Sequence, residues 1–188
     1  LRELGACYRA FATGRTPKLP ELPLRYPDFA RWQREHLRGE RERAELDYWK
    51  ARLADLGETA LPGDRPRPAV NAFAGALLPV VSQAEEAEPV RELARRSRAT
   101  VFMVVVAAFQ AALHRFTGQR DLALGIGIAN RNRAEIEPVL GFFVNSLVVR
   151  TDLGGEPTFE ALLGRVRESA LGAYAHQDLP FDRLVEEL

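Results

Sequence analysis

Asn145 interrupts an apolar run, Phe142-Phe143-Val144 before it and Leu147-Val148-Val149 after it, in a stretch that ends on Arg150. A buried amide must find partners for two N–H donors and two lone pairs. Such a side chain either locks neighbouring backbone or faces a tunnel and bonds a substrate. Residue types alone leave both open. Arg150 reads as an ion-pairing or hydrogen-bonding structural residue rather than a catalyst. Further along comes His176-Gln177-Asp178-Leu179-Pro180-Phe181-Asp182. An acid–base pair of His176 and Asp178 would need mutual reach and a third group to orient it. Residues two apart do not face each other on a helix. The expected arrangement is a polar corner where two helices meet, with both side chains bonding backbone.

Other chemistries find less support. His36 falls on a charged segment and is expected in solvent, whereas His114 falls on an apolar one and is expected to be packed. No His/Cys/Asp/Glu spacing suits a metal. Gly125-Ile126-Gly127 resembles a dinucleotide loop, but Asn130 stands where a third glycine would fall. Both glycines also lie inside a strand pattern, where close backbone packing explains them better. There is no Gly-x-Ser-x-Gly elbow and no phosphate loop. Cys7 is the one cysteine, so no internal disulfide forms, and a buried or half-buried structural thiol is expected.

With 26 acidic and 26 basic residues in 188, the chain gives no support for nucleic-acid or membrane-surface binding. Charges alternate, as in Glu40-Arg41-Glu42-Arg43, which predicts a solvated helix face with local ion pairs. The longest apolar run, Val101 to Ala108, is too short to span a bilayer, and Leu1-Arg2-Glu3-Leu4-Gly5 is no signal peptide. A cytoplasmic location is the default, and a helical pattern from the first residue predicts a chain that starts mid-domain.

These residues must be positioned by a mixture of helices and strands. Leu1, Leu4, Tyr8 and Phe11 fall at helical spacing, with Gly14 as a stop. Residues 15–25 hold three prolines and predict an extended connection. A helical face then runs through Phe29, Trp32, Leu37, Leu46, Trp49, Leu53 and Leu56, with Gly39 as a candidate break. Residues 57–75 read as a Pro/Gly-rich loop. Ala76 to Val81 suggests a buried strand, and Ser82 with Glu85 a capping box opening a helix to about Ser97. Val101 to Phe116 predicts a helix apolar nearly all round, central to a core and ended by Gly118.

Asp121 to Ala129 and Phe143 to Thr151 suggest strands, the first covered on both faces. A turn follows at Asp152 to Gly155. Thr158 caps a helix with Phe159, Leu162, Leu163, Val166 and Ala170 inward. Pro180 then sits in the first turn of a last helix, with Leu184, Val185 and Leu188 inward. Alternating strands and helices predict a layered α/β arrangement, with no internal repeat.

Three ordered motifs carry a family resemblance. Tyr26-Pro27-Asp28-Phe29-Ala30-Arg31-Trp32, Gly141 to Arg150, and His176 to Asp182 resemble motifs of the condensation domains of nonribosomal peptide synthetases. Ala129-Asn130-Arg131-Asn132-Arg133 is similar to the segment usual before the second motif. The resemblance covers essentially the whole chain. It implies the chloramphenicol-acetyltransferase-like fold, α/β, layered and two-lobed, with only part of it present. Residues 1–75 would be the tail of the first lobe plus a linker, and 76–188 most of the second.

It also implies amide formation between a donor acyl or peptidyl thioester and an acceptor aminoacyl thioester. Both would be presented on phosphopantetheine arms of partner carrier domains, beside an adenylation domain, with no cofactor bound by this chain. Asn145 and Ser146 become tunnel-wall candidates, where Asn145 would bond a substrate carbonyl or pantetheine amide. Tyr26, Asp28, Trp32, Gly141, Phe143, Arg150, His176, Asp178, Pro180 and Phe181 become structural motif residues.

The family's catalytic His-His-x-x-x-Asp-Gly is not among these residues and is expected shortly upstream of Leu1. The 188 residues alone are therefore expected to be inactive and to behave poorly in solution. Phe73-Ala74-Gly75 departs from the Phe-Arg-Gly of many relatives, whose Arg is a proposed partner of the catalytic motif's Asp. An alternative reading is a noncatalytic module that docks carrier domains or recruits a tailoring enzyme.

Overall fold

The computed structural model describes residues 2–59, 61, 63, 70 and 75–188. The order is α1 (Arg2–Ala12), α2 (Tyr26–His36), α3 (Glu40–Leu53), α4 (Ala84–Arg96), α5 (Val101–Thr117), β1 (Asp121–Ile128), a short 3-10 turn (Ala134–Ile136), β2 (Asn145–Asp152), α6 (Phe159–Ala175) and α7 (Phe181–Glu187). Gly39 separates α2 from α3 with φ of 66°, the left-handed region where a Cβ is penalised. Gly118 ends α5 in the same way and donates its N–H to the His114 carbonyl. Thr100 and Thr158 cap α5 and α6, their hydroxyls accepting the amides of Met103 and Ala161. Cys7 is half-buried.

β1 and β2 form an antiparallel pair in which Ile128 stands opposite Asn145 and Leu122 opposite Thr151. Residues directly opposite share a face. One face therefore presents Leu122, Leu124, Ile126, Leu147 and Val149. It packs on Met103, Ala107, Leu163, Val166 and Ala170 from α5 and α6. A second cluster joins Leu46 and Trp49 of α3 to Leu147, Ala173, Leu179 and Leu184. A third sets Phe29 against Ile136, Val139 and Phe143. α2 and α3 are thus fastened onto the segments around β2.

Several sequence expectations need correction. Ala76 to Val81 is not a buried strand: Leu77, Leu78, Val80 and Val81 are exposed, and among the described residues β1 and β2 pair only with each other. The capping box lies one residue later, with the Glu86 carboxylate accepting the Gln83 amide at 3.2 Å, because Gln83 still has extended backbone. α5 is two-sided: Val101, Val105, Phe109 and Phe116 stand exposed, because α4, α6 and the sheet cover one side of it.

β1 is covered on one face, since Gly125 and Gly127 leave nothing to bury on the other. β2 starts at Asn145, and Phe143 instead belongs to the aromatic cluster. Phe159, Val185 and Leu188 point outward, and α1 buries no residue. Pro180 is the N-cap of α7 rather than part of its first turn. Phe73 and Ala74 lie outside the described residues.

Candidate functional site

Asn145 is the first residue of β2 and is 8% exposed. Its Nδ2 donates to the carbonyls of Gln177 at 3.0 Å and Leu179 at 2.8 Å. Its Oδ1 accepts the amides of Ser146 at 2.9 Å and Phe181 at 3.0 Å. Both donors and both lone pairs are therefore engaged. The amide clamps the link from α6 to α7, whose backbone would otherwise be buried unpaired. Ser146 contributes its amide, and its side chain is exposed.

The same link is gripped from its other side. The indole N–H of Trp49 donates to the His176 carbonyl at 3.0 Å. The His176 ring stacks on Tyr48, centroids 3.7 Å apart, and its Nδ1 meets Glu45 Oε2 at 3.1 Å. Asp178 Oδ2 lies 3.4 Å from Arg41 and 3.9 Å from His36. His176 and Asp178 do form a polar corner, but their side chains bond side chains of α2 and α3 rather than backbone. The physical reason is that Trp49 and Asn145 already satisfy the local backbone. His36 is likewise not free in solvent, because its ring stacks on Trp32 with centroids 4.5 Å apart. His114 is packed as expected, its Nδ1 2.7 Å from the Gln119 carbonyl.

Tyr26 supports the loop that leads into β2. Its hydroxyl donates to the Phe142 carbonyl at 2.9 Å, and its ring meets Phe143 edge-on with centroids 5.3 Å apart. Gly141 lies flat against that ring, where an added Cβ would overlap it. Asp28 accepts the Arg25 amide and closes the start of α2. Trp32 is covered by the Arg133 guanidinium. Pro180 leads into α7, and Phe181 offers Asn145 its amide while its side chain stays exposed.

At the far end of β2, Arg150 holds Asp121 through Nε and Nη2, with Nη2 to Oδ2 at 2.6 Å. Its Nη1 donates to the carbonyls of Arg52 and Ala54. Hydrogen bonding to Arg150 holds the Asp121 carboxyl below its ordinary range, and Asp121 holds the guanidinium above its own. Burial pushes the Tyr48 phenol up.

Sequence reading passed over Glu45 and Gln110, and gave Arg131 no role beyond its place in the 129–133 segment. Glu45 had a signal: it lies four residues before Trp49, so it shares the inner stripe of α3. Arg131 donates to the Ile136, Glu137 and Val139 carbonyls and covers the Phe143 ring, shaping the approach to β2. Gln110 sits fully buried on α5 with Nε2 near the carbonyls of Leu122 and Val149. Among the described residues no His/Cys/Asp/Glu cluster could hold a metal ion, and no single helix is long and apolar enough to cross a membrane.

The first motif thus packs on the loop before β2, and Asn145 at the end of that loop ties the second motif to the third. The sequence profile of the condensation domain family matches residues 1–188. This chain belongs to the condensation-domain family. A linear gramicidin synthase of Brevibacillus parabrevis is 50% identical over 189 residues, spanning 100% of this chain and 2% of that protein. The teicoplanin X-domain in complex with OxyB matches with a TM-score of 0.89 at 32% identity, over 98% of this chain and 42% of that one. The first condensation domain of the calcium-dependent antibiotic synthetase, bound to a substrate analogue, gives 0.75 at 24% identity, over 98% and 42%. The chain has the mixed α/β condensation-domain fold and spans less than half the length of each of these relatives.

Proposed function

We propose that the full-length protein forms an amide bond between a donor acyl or peptidyl thioester and the amine of an acceptor aminoacyl thioester. Both substrates would arrive on phosphopantetheine arms of carrier domains, next to an adenylation domain, in nonribosomal peptide biosynthesis in the cytoplasm. The match to the condensation-domain family across residues 1–188 carries this reading. The amine attacks the thioester carbonyl, the C–S bond breaks, and the donor arm leaves as a thiol with the amine's proton transferred. Holding two tethered reactants together supplies much of such a rate.

We assign the described residues a positioning role. Asn145, Tyr26, Gly141 and Arg150 fix β2 and the link at 176–181, and no catalytic residue is assigned among residues 1–188. The division at about residue 75 is part of this proposal. α1 buries nothing, while α2 packs on the 136–143 segment before β2 and α3 packs on β2 and α7, which suits a seam between lobes. The 188 residues alone are expected to form no amide. The test is condensation of two loaded carrier domains by the full-length protein, against a variant lacking the family's upstream histidine pair. Histidine-dependent amide product supports the reading, and absence of product overturns it.

The likeness to the teicoplanin X-domain favours one second reading, a noncatalytic module that docks carriers or recruits a tailoring enzyme, because that relative is found in complex with OxyB. Partner binding without amide formation in the same assay would select it.

A further inference from the structure

A cleft of about 310 Å³ lies between α2 and α7, outside the aromatic cluster and away from Arg150. Its floor is apolar: Leu37, 9% exposed, Leu179, 3% exposed, and Pro180. Its walls carry the guanidinium groups of Arg34, Arg38 and Arg183. Arg183 is balanced by Glu42 at 3.0 Å, which also lines the cleft. Among the described residues Arg34 and Arg38 form no ion pair, although both sides of the cleft are rich in paired charges. The floor is rigid, because Asn145 holds the carbonyl of Leu179 and the amide of Phe181.

We propose that this cleft is a docking site for an acidic protein segment that seats one apolar side chain on Leu37 and Leu179. Two guanidinium groups without a carboxylate partner, Arg34 donating only to the Ala30 carbonyl of its own helix, flank an apolar floor and favour carboxylates around an apolar anchor, and arginine is enriched at interface centres for this kind of contact. Nucleic acid is disfavoured because the cleft is floored by aliphatic side chains and offers no aromatic face on which a base could stack. The inference rests on the reading that the full-length protein works with protein partners. It does not depend on whether amide bonds form.

The test is fluorescence anisotropy with the full-length protein and a labelled synthetic Asp/Glu-rich peptide carrying one central Leu. The expected result is saturable binding that weakens with salt and weakens about tenfold when the Leu becomes Ser. Arg34→Glu with Arg38→Glu should weaken it at least about tenfold, and the fold should tolerate this pair because both side chains are exposed. Arg95→Glu with Arg96→Glu, on α4, should leave it unchanged. No saturable binding, equal loss in both double variants, or indifference to the Leu overturns the proposal. Self-association that the Arg34/Arg38 variant abolishes and the peptide fails to compete overturns it as well, because the occupant is then a second copy of the chain. Amide formation in the condensation assay without peptide binding sinks this inference alone.

Discussion

The side-chain oxygen of Asn145 accepts the amide of Phe181 at 3.0 Å, joining the first residue of β2 to the first residue of α7. Its nitrogen closes on two carbonyls of the same link. Asn145→Ala removes one side chain and strands three backbone groups: the buried Leu179 carbonyl and the half-buried Gln177 carbonyl and Phe181 amide. We expect a loss of about 2–4 kcal/mol, since each unsatisfied buried group costs roughly 1–3 and relaxation recovers part. Asn145→Asp should be no better, because a carboxylate cannot donate to the Gln177 and Leu179 carbonyls. Denaturant titration measures the loss, and hydrogen exchange should show protection vanishing first across residues 176–181. Unchanged stability and protection would show that the clamp is dispensable.

The Arg150–Asp121 pair makes acid sensitivity predictable in sign. The carboxyl's folded pKa is depressed, so its stabilising contribution is full above the unfolded value, roughly 3.9. That contribution disappears as pH falls through the lower folded value. Asp121→Asn should reduce stability near neutral pH and flatten the acid limb of the stability curve below about pH 4. Because Asp121 is partly exposed, the flattening is the sharper readout. Melting temperatures of both proteins from acid to neutral pH decide it; parallel curves would contradict the pairing.

Much of this corner was legible in the sequence for a physical reason. Gly39, Gly118 and Thr158 act through local backbone chemistry, so neighbouring residues alone announce helix ends. Asn145 announced itself as a polar interruption of a run that wants burial, although only the fold reveals which backbone it holds. The Ala76 to Val81 segment was misread because strand identity depends on a hydrogen-bonding neighbour. Composition cannot supply that neighbour. α5 was misread for a similar reason: an apolar surface does not say which of its sides finds cover. Glu45 and Arg41 meet the 176–178 corner across more than a hundred residues of sequence, and no local pattern encodes such a pairing.

Tyr26 and Gly141 offer a steric test. Gly141→Ala places a methyl against the Tyr26 ring, and overpacking of this kind costs about 1–3 kcal/mol. Tyr26→Phe keeps the ring and loses the hydrogen bond to Phe142, at about 1 kcal/mol. In Tyr26→Ala the added methyl at position 141 should cost nothing further, so the double-mutant cycle must show strong coupling. Additive losses in denaturant titrations would mean that the two residues do not press on each other.

Gln110 predicts the opposite sign. Its amide is fully buried, its Nε2 contacts are long at 3.3 and 3.4 Å, and its Oε1 has no partner among the described residues. The carbonyls it approaches belong to residues already paired across the β1–β2 ladder, so removing it strands little. A buried acceptor without a partner carries a desolvation cost that an apolar side chain of similar volume avoids. Gln110→Met should therefore be neutral or stabilising, by up to about 1 kcal/mol. If urea denaturation shows a loss above about 2 kcal/mol, the amide is holding α5 against β1 and β2, and its contacts are worth more than their length implies.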